Sequence, residues 1–156
     1  MTSRTFNDFK LKPYLVKAVV AINFRQPTPV QERVIPDILA GKSVVGQSAT
    51  GSGKTHAFLL PIFSQIDPSK QAVQAVVTTP SRELAYQIYN AAKQLNQYAD
   101  QPLTIHNYVG GTDKQHQIDQ LTRKQPQLVI GTPGRVLDLI NSQHLDIHTA
   151  TMFVVD

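Results

Sequence analysis

Apolar positions along the chain gather into short β-rich runs at residues 43–47, 73–79, 103–109, 127–131 and 151–156. Runs of this length, bounded by turn-forming residues, predict strands. Between the second and third runs the period changes: Leu84, Ile88, Ala92 and Leu95 recur at three- to four-residue spacing, leaving Arg82, Glu83, Lys93 and Asp100 for water. That pattern predicts an amphipathic helix laying one stripe on a sheet. Asp67-Pro68-Ser69-Lys70 and Asp100-Gln101-Pro102 break both periods and read as loops. Strands alternating with helices predict an α/β fold with a mostly parallel sheet and crossover helices, one layered architecture without internal repeats.

The first run leads straight into Ser48-Ala49-Thr50-Gly51-Ser52-Gly53-Lys54-Thr55, followed by a helix-compatible segment. Strand, glycine-rich loop and helix are the layout of a phosphate-binding loop. Gly51 and Gly53 allow turns that a side chain would block, so consecutive N–H groups converge on phosphate oxygens. The new helix adds the positive end of its dipole. Lys54 supplies a point charge for the outer phosphates, and the Thr55 hydroxyl is a ligand for a bridging Mg2+. Ser48 stands where the strict pattern has Gly. These residues imply a nucleoside triphosphate.

Composition adds limits. A chain of 156 residues with 41% hydrophobic and 17% charged residues is long enough for one globular domain with a sizeable core. The polar start and the lack of a membrane-length apolar run argue for a cytoplasmic protein without a membrane partner. With no Cys, disulfide and thiol chemistry are excluded. The net charge of +4 favours an anionic partner, although the basic residues are scattered.

Further strings punctuate the chain: Phe24-Arg25-Gln26-Pro27-Thr28-Pro29-Val30-Gln31, Pro80-Ser81-Arg82-Glu83-Leu84-Ala85, Gly110-Gly111 and Thr132-Pro133-Gly134-Arg135. Together with the phosphate loop, and in this order, they resemble the signature set of DEAD-box ATP-dependent RNA helicases. The resemblance covers nearly the whole chain. It implies an N-terminal, three-layer, RecA-like P-loop NTPase domain, with an adenine-reading Q-motif region at 1–41 and the P-loop α/β core at 42–156. The cofactors it implies are ATP and Mg2+.

Family membership implies that Gln31 hydrogen-bonds the edge of adenine, that Phe6 packs on the base and that Phe24 belongs to the same motif. An amide offers a donor and an acceptor side by side, which complements adenine. Thr28-Pro29-Val30-Gln31 is equally a capping box, and Phe6 is equally a core contact. Asn23 stands where the family usually has Gly, and Asn is the next best residue for a left-handed turn. Pro80, Ser81, Arg82, Gly110, Gly111, Thr132, Pro133, Gly134 and Arg135 match the family's RNA-contacting motifs. They would follow one strand's sugar-phosphate backbone, giving affinity for single-stranded or duplex RNA without strong sequence preference. Each string follows an apolar run, so all should fall at the C-terminal edge of the sheet. Helix capping and turn formation are the structural alternatives for each.

The final run, Met152-Phe153-Val154-Val155-Asp156, looks like the strand whose terminal Asp opens the name-giving motif. In the family that Asp orients Mg2+, the next Glu activates water, and a second helicase domain contributes arginines to the transition state. The resemblance therefore implies a C-terminally truncated first domain, without the second one, that binds nucleotide weakly, has little RNA affinity by itself and hydrolyses none. Gly46-Gln47-Ser48 and His56-Ala57-Phe58 resemble a bacterial, cold-shock-type subgroup. A non-catalytic module binding RNA or protein, and a relative acting on DNA, are the competing readings. His144 and His148 flank Asp146 without an evident third ligand and read as a surface pair rather than a metal site.

Overall fold

The computed structural model describes residues 5–46 and 53–156. They divide into two compact units, Met1–Gln65 with Gln94–Asp100, and Ile66–Lys93 with Gln101–Asp156.

The first unit is helical. Helix α1 (Pro13–Ala21) buries Leu15, Ala18 and Val19 at helical spacing and gives way to a left-handed Asn23 with φ 72°. Helix α2 (Pro29–Leu39) opens on the anticipated capping box, with Pro29 in its first turn. The Gln31 N–H donates to Thr28 Oγ1 at 3.4 Å, and the Thr28 N–H donates to Gln31 Oε1 at 3.0 Å. Helix α3 (Lys54–Gln65) is buried from Ala57 through Phe63, so it is apolar all round and forms the centre of this unit. Its Gln65 Nε2 donates to the carbonyls of Ile38 and Leu39, both at 3.2 Å. These are terminal carbonyls of α2 that the helix itself leaves unpaired.

The second unit carries β1 (Ala75–Thr78), α4 (Arg82–Asn96, whose last residues count with the first unit), β2 (Ile105–Tyr108), α5 (Lys114–Arg123), β3 (Leu128–Gly131), α6 (Pro133–Asn141) and β4 (Met152–Val155). The four strands are parallel and lie in the order β2-β3-β1-β4. Val76, Val129 and Tyr108 on one face pack with Leu121 of α5, with Val136 and Leu139 of α6, and with Leu145. Ala75, Val77, Leu128 and Ile130 alternate onto the other face and are equally inaccessible. Burial on both faces explains why the central strands β1 and β3 read as continuous apolar runs.

Two expectations are corrected. Residues 43–46 form no strand and are exposed, with Val45 fully so; Gln47 lies outside the described residues. A strand is defined by its ladder, and these residues take no part in the four-stranded sheet. The buried stripe of α4 is Ala85, Ile88, Ala92 and Leu95, whereas Leu84 is 43% exposed. Spacings of three, four and three put these four on one face, and Leu84 sits at its margin, about 20° beyond Leu95 and about 100° from Ala85.

One buried polar group sits uneasily in this packing. Asn107 on the edge strand β2 lies in register with Ile130, and neither its Oδ1 nor its Nδ2 finds a partner. An unpaired buried carboxamide costs about 1–3 kcal/mol. Asn107→Leu should therefore stabilise the chain by that order, raising the midpoint of a thermal melt by about 2–4 °C per kcal/mol. A lower midpoint would mean that the amide is satisfied by a trapped water.

Candidate functional site

In the first unit Gln31 ties the start of α2 to the end of the glycine-rich loop. Its Nε2 donates to the Gly53 carbonyl at 3.0 Å, and its side chain is almost wholly buried. Gly53 has φ +86°, and a Cβ there would fall 2.5 Å from Gln31 Nε2 and 3.0 Å from Thr28 Oγ1. Only glycine meets both demands. Each polar atom of the carboxamide makes one bond among the described residues, to Thr28 N–H and to Gly53 O. One N–H and one lone pair remain, the pair that adenine requires.

Lys54 and Thr55 open α3, where the first N–H groups have no carbonyl one turn earlier within the helix. The Gly53 carbonyl accepts from Ala57 N–H at 3.1 Å and starts the ladder. The donors therefore suit a polyphosphate, and the Thr55 hydroxyl and Asp156 carboxylate are hard oxygen ligands of the type Mg2+ takes. Ser48, Ala49, Thr50, Gly51 and Ser52 lie outside the described residues.

Phe6 is 3% exposed; it packs edge-on against Phe9 at 6.1 Å and stacks on the half-buried Phe24 at 6.5 Å. Phe24 in turn meets the His56 ring edge-on at 4.7 Å. His56, one residue after Thr55, keeps Nε2 buried without a partner, and burial lowers its pKa from the ordinary 6.5.

In the second unit the remaining strings follow strand ends. Pro80, Ser81 and Arg82 come after β1, Gly110 and Gly111 after β2, Thr132 to Arg135 after β3, and Asp156 directly after β4. Because the strands are parallel, all four stand on one edge of the sheet. Three are hydrogen-bonded together. Arg82 Nη1 donates to the Gly110 carbonyl at 3.2 Å, and Gly110 N–H donates to Thr132 Oγ1 at 3.1 Å. Gly111, at φ +81°, has Arg82 Nη1 only 2.5 Å from where a Cβ would sit. Arg135 Nη1 donates to the Thr112 carbonyl at 3.2 Å and to Gln117 Oε1 at 2.7 Å. Ser81 also caps α4, accepting from the Leu84 N–H at 3.2 Å, while Pro80, Pro133 and Gly134 stay exposed. The Asp156 N–H donates to the Thr78 carbonyl at 2.8 Å, fixing the backbone that carries its carboxylate.

The model of DEAD/DEAH box helicases matches residues 28–156, taking in every one of these segments except Phe6 and Phe24. The chain belongs to the DEAD/DEAH box helicase family. It is 49% identical to the DEAD-box ATP-dependent RNA helicase CshB of Listeria monocytogenes over the whole of this chain, which spans 36% of the length of that helicase. Among solved structures, it is similar to a DEAD box protein from the hyperthermophile Methanococcus jannaschii with TM-score 0.90 at 34% identity, covering 97% of this chain and 41% of the other. S. cerevisiae Dbp5 bound to RNA and ADP BeF3 matches with TM-score 0.86 at 30% identity, covering 99% and 38%.

For this DEAD-box chain, motif reading misses Gln117, Thr112 and His56. Gln117 carried a faint signal: it lies one turn before Leu121 on the core-facing stripe of α5, where a buried carboxamide needs partners. His148 pairs with the Asp146 carboxylate, and among the described residues no three His, Cys, Asp or Glu gather into a metal cluster.

Burial of His56 sets a pH dependence. The folded chain keeps the imidazole neutral where the unfolded chain protonates it, so the unfolded state binds more protons below about pH 6.5. Stability should be full above that pH and decline as the pH falls through it toward the lowered folded value. His106, shifted the same way by burial and by Lys124 and His116, adds to the decline. Denaturant melts of His56→Phe between pH 7 and pH 5 should show a shallower loss than the parent chain; an equal loss would place His56 in water.

Proposed function

We propose that this chain is the ATP-binding and RNA-contacting part of an ATP-dependent DEAD-box RNA helicase acting in the cytoplasm. The observation that carries this reading is the mutual bonding of the rim segments through Arg82, Gly110 and Thr132, which joins them into one surface on the sheet edge. Three segments scattered over the sequence interlock at that edge, and their small side chains and two arginines fit a sugar-phosphate backbone. Pro80, Ser81, Gly111, Pro133, Gly134 and Arg135 complete that surface. Contact with the backbone rather than with base edges means little sequence preference.

On the nucleotide side, the glycine-rich segment Ser48, Ala49, Thr50, Gly51, Ser52 and Gly53 is the one assigned to the phosphates, with the Lys54 ammonium for the outer ones. Gln31 reads adenine with its remaining donor and acceptor, next to Phe6 and Phe24. Thr55 and Asp156 are the residues that would hold Mg2+, and the ion would supply Lewis-acid stabilisation of phosphate charge. In the whole protein a second helicase domain closes on nucleotide and RNA, and closure bends one strand so that a short duplex parts.

Titration with labelled ATP and magnesium tests the reading. Lys54→Ala should weaken binding by at least about 10-fold and Gln31→Ala by less, with the chain alone showing no steady-state hydrolysis. Equal ATP affinity in parent and Lys54→Ala would refute the nucleotide assignment. A deoxyribo-oligomer binding as well as its ribo-counterpart would favour a DNA substrate.

A further inference from the structure

Besides the direct bond from the Gly110 N–H to Thr132 Oγ1, a second link from the turn after β2 to the string at 132–135 runs through a residue outside every signature string. Gln117, on the second turn of α5, is 6% exposed, yet its side chain is polar. Its Nε2 donates to Thr112 Oγ1 at 2.8 Å and its Oε1 accepts from Arg135 Nη1 at 2.7 Å. The Thr112 hydroxyl, having accepted from Gln117, donates to the Val109 carbonyl at 2.6 Å. Every group in this chain therefore has one role. Arg135 can only donate, which fixes the carboxamide oxygen toward it and the nitrogen toward Thr112.

Consider what Arg135 keeps. Both Nη1 hydrogens are taken, one by the Thr112 carbonyl and one by Gln117. Nε and Nη2 carry the other three N–H groups, two of which, one on each nitrogen, lie side by side as a fork of the kind that grips a phosphate. A free arginine would sample many rotamers and lose that freedom on binding; one pinned by a buried amide has lost it beforehand.

We propose that Gln117 is a positioning residue for RNA binding: its buried carboxamide clamps the Gly110-Gly111-Thr112 turn to Arg135, so that the two segments meet the sugar-phosphate backbone as one preformed surface. This rests on the RNA reading of the rim given above. Neither a carboxylate nor an apolar side chain replaces it. Glu keeps an acceptor for Arg135 but has no hydrogen for Thr112, and Met fills the space while holding neither partner.

The test is fluorescence anisotropy with a labelled single-stranded ribo-oligomer, alongside ATP titration and a thermal melt, on the full chain. Gln117→Met should weaken RNA binding by about 10-fold, leave ATP affinity unchanged and keep a cooperative melt. Thr112→Val, which cuts the same tie from the other end, should weaken RNA binding in the same direction. Gln117→Glu should fall between parent and Gln117→Met. In the Arg135→Ala background Gln117→Met should cost nothing further, because its effect passes through that guanidinium. RNA affinity unchanged in both Gln117→Met and Thr112→Val overturns the inference, as does a Gln117→Met loss that persists undiminished without Arg135. If Arg135→Ala itself binds RNA like the parent, or the parent binds none, the rim reading fails and the inference with it. Loss in Arg135→Ala with parent-like Gln117→Met sinks the clamp alone.

Discussion

Parallel pairing is the constraint on which the rest depends. When Val76 pairs with Val129 and Phe153, and Ile105 with Leu128, the four strands end together, and whatever follows each of them is delivered to one edge. Antiparallel pairing of the same runs would have sent alternate segments to opposite edges. Parallel order also requires a long crossover between successive strands, so α4, α5 and α6 occupy the intervals in the sequence and the unit has both sheet faces to cover. The central strands β1 and β3 are nearly free of polar residues for the same reason.

On that edge, small residues and hydroxyls do the joining. Thr132 turns its hydroxyl to the Gly110 amide, Arg82 reaches the Gly110 carbonyl, and Gly111 takes the left-handed conformation with the Arg82 guanidinium crowded against it. Each bond is modest alone, about 0.5–1.5 kcal/mol for neutral partners and somewhat more for the arginines. Their value lies in geometry, since loops tied to one another lose less freedom when a ligand arrives. The nucleotide side follows the same logic. Gln31 caps its own helix and holds the Gly53 carbonyl, so a residue that reads as a helix cap and a residue that reads as an adenine contact are one and the same.

Much of this was legible beforehand because the relevant physics is local. The capping box at Thr28 and Gln31, the left-handed Asn23 and the strand ends at Thr78, Tyr108 and Gly131 each depend on a few neighbouring residues. The run at 43–46 misled because composition reports β-propensity and burial, whereas a strand exists only where a partner pairs with it. Leu84 misled because which side of a helix is covered is set only by packing in the folded chain, and Ala85 rather than Leu84 lies on the covered side. Gln117 was invisible as a functional residue for a related reason: its partners, Thr112 and Arg135, lie 5 and 18 residues away along the chain and adjoin it only once α5 and α6 are packed.

The α/β class, the family and the positions of the rim strings were readable from the chain before folding, because periodicity, turn residues and charge placement are short-range properties that survive without a fold. Tertiary structure alone decided which strand neighbours which, which face of α4 is buried, that Gln31 grips Gly53, and that Gln117 joins Thr112 to Arg135. Those are contacts between residues far apart in the chain, and their energies exist only after the backbone has been brought back on itself.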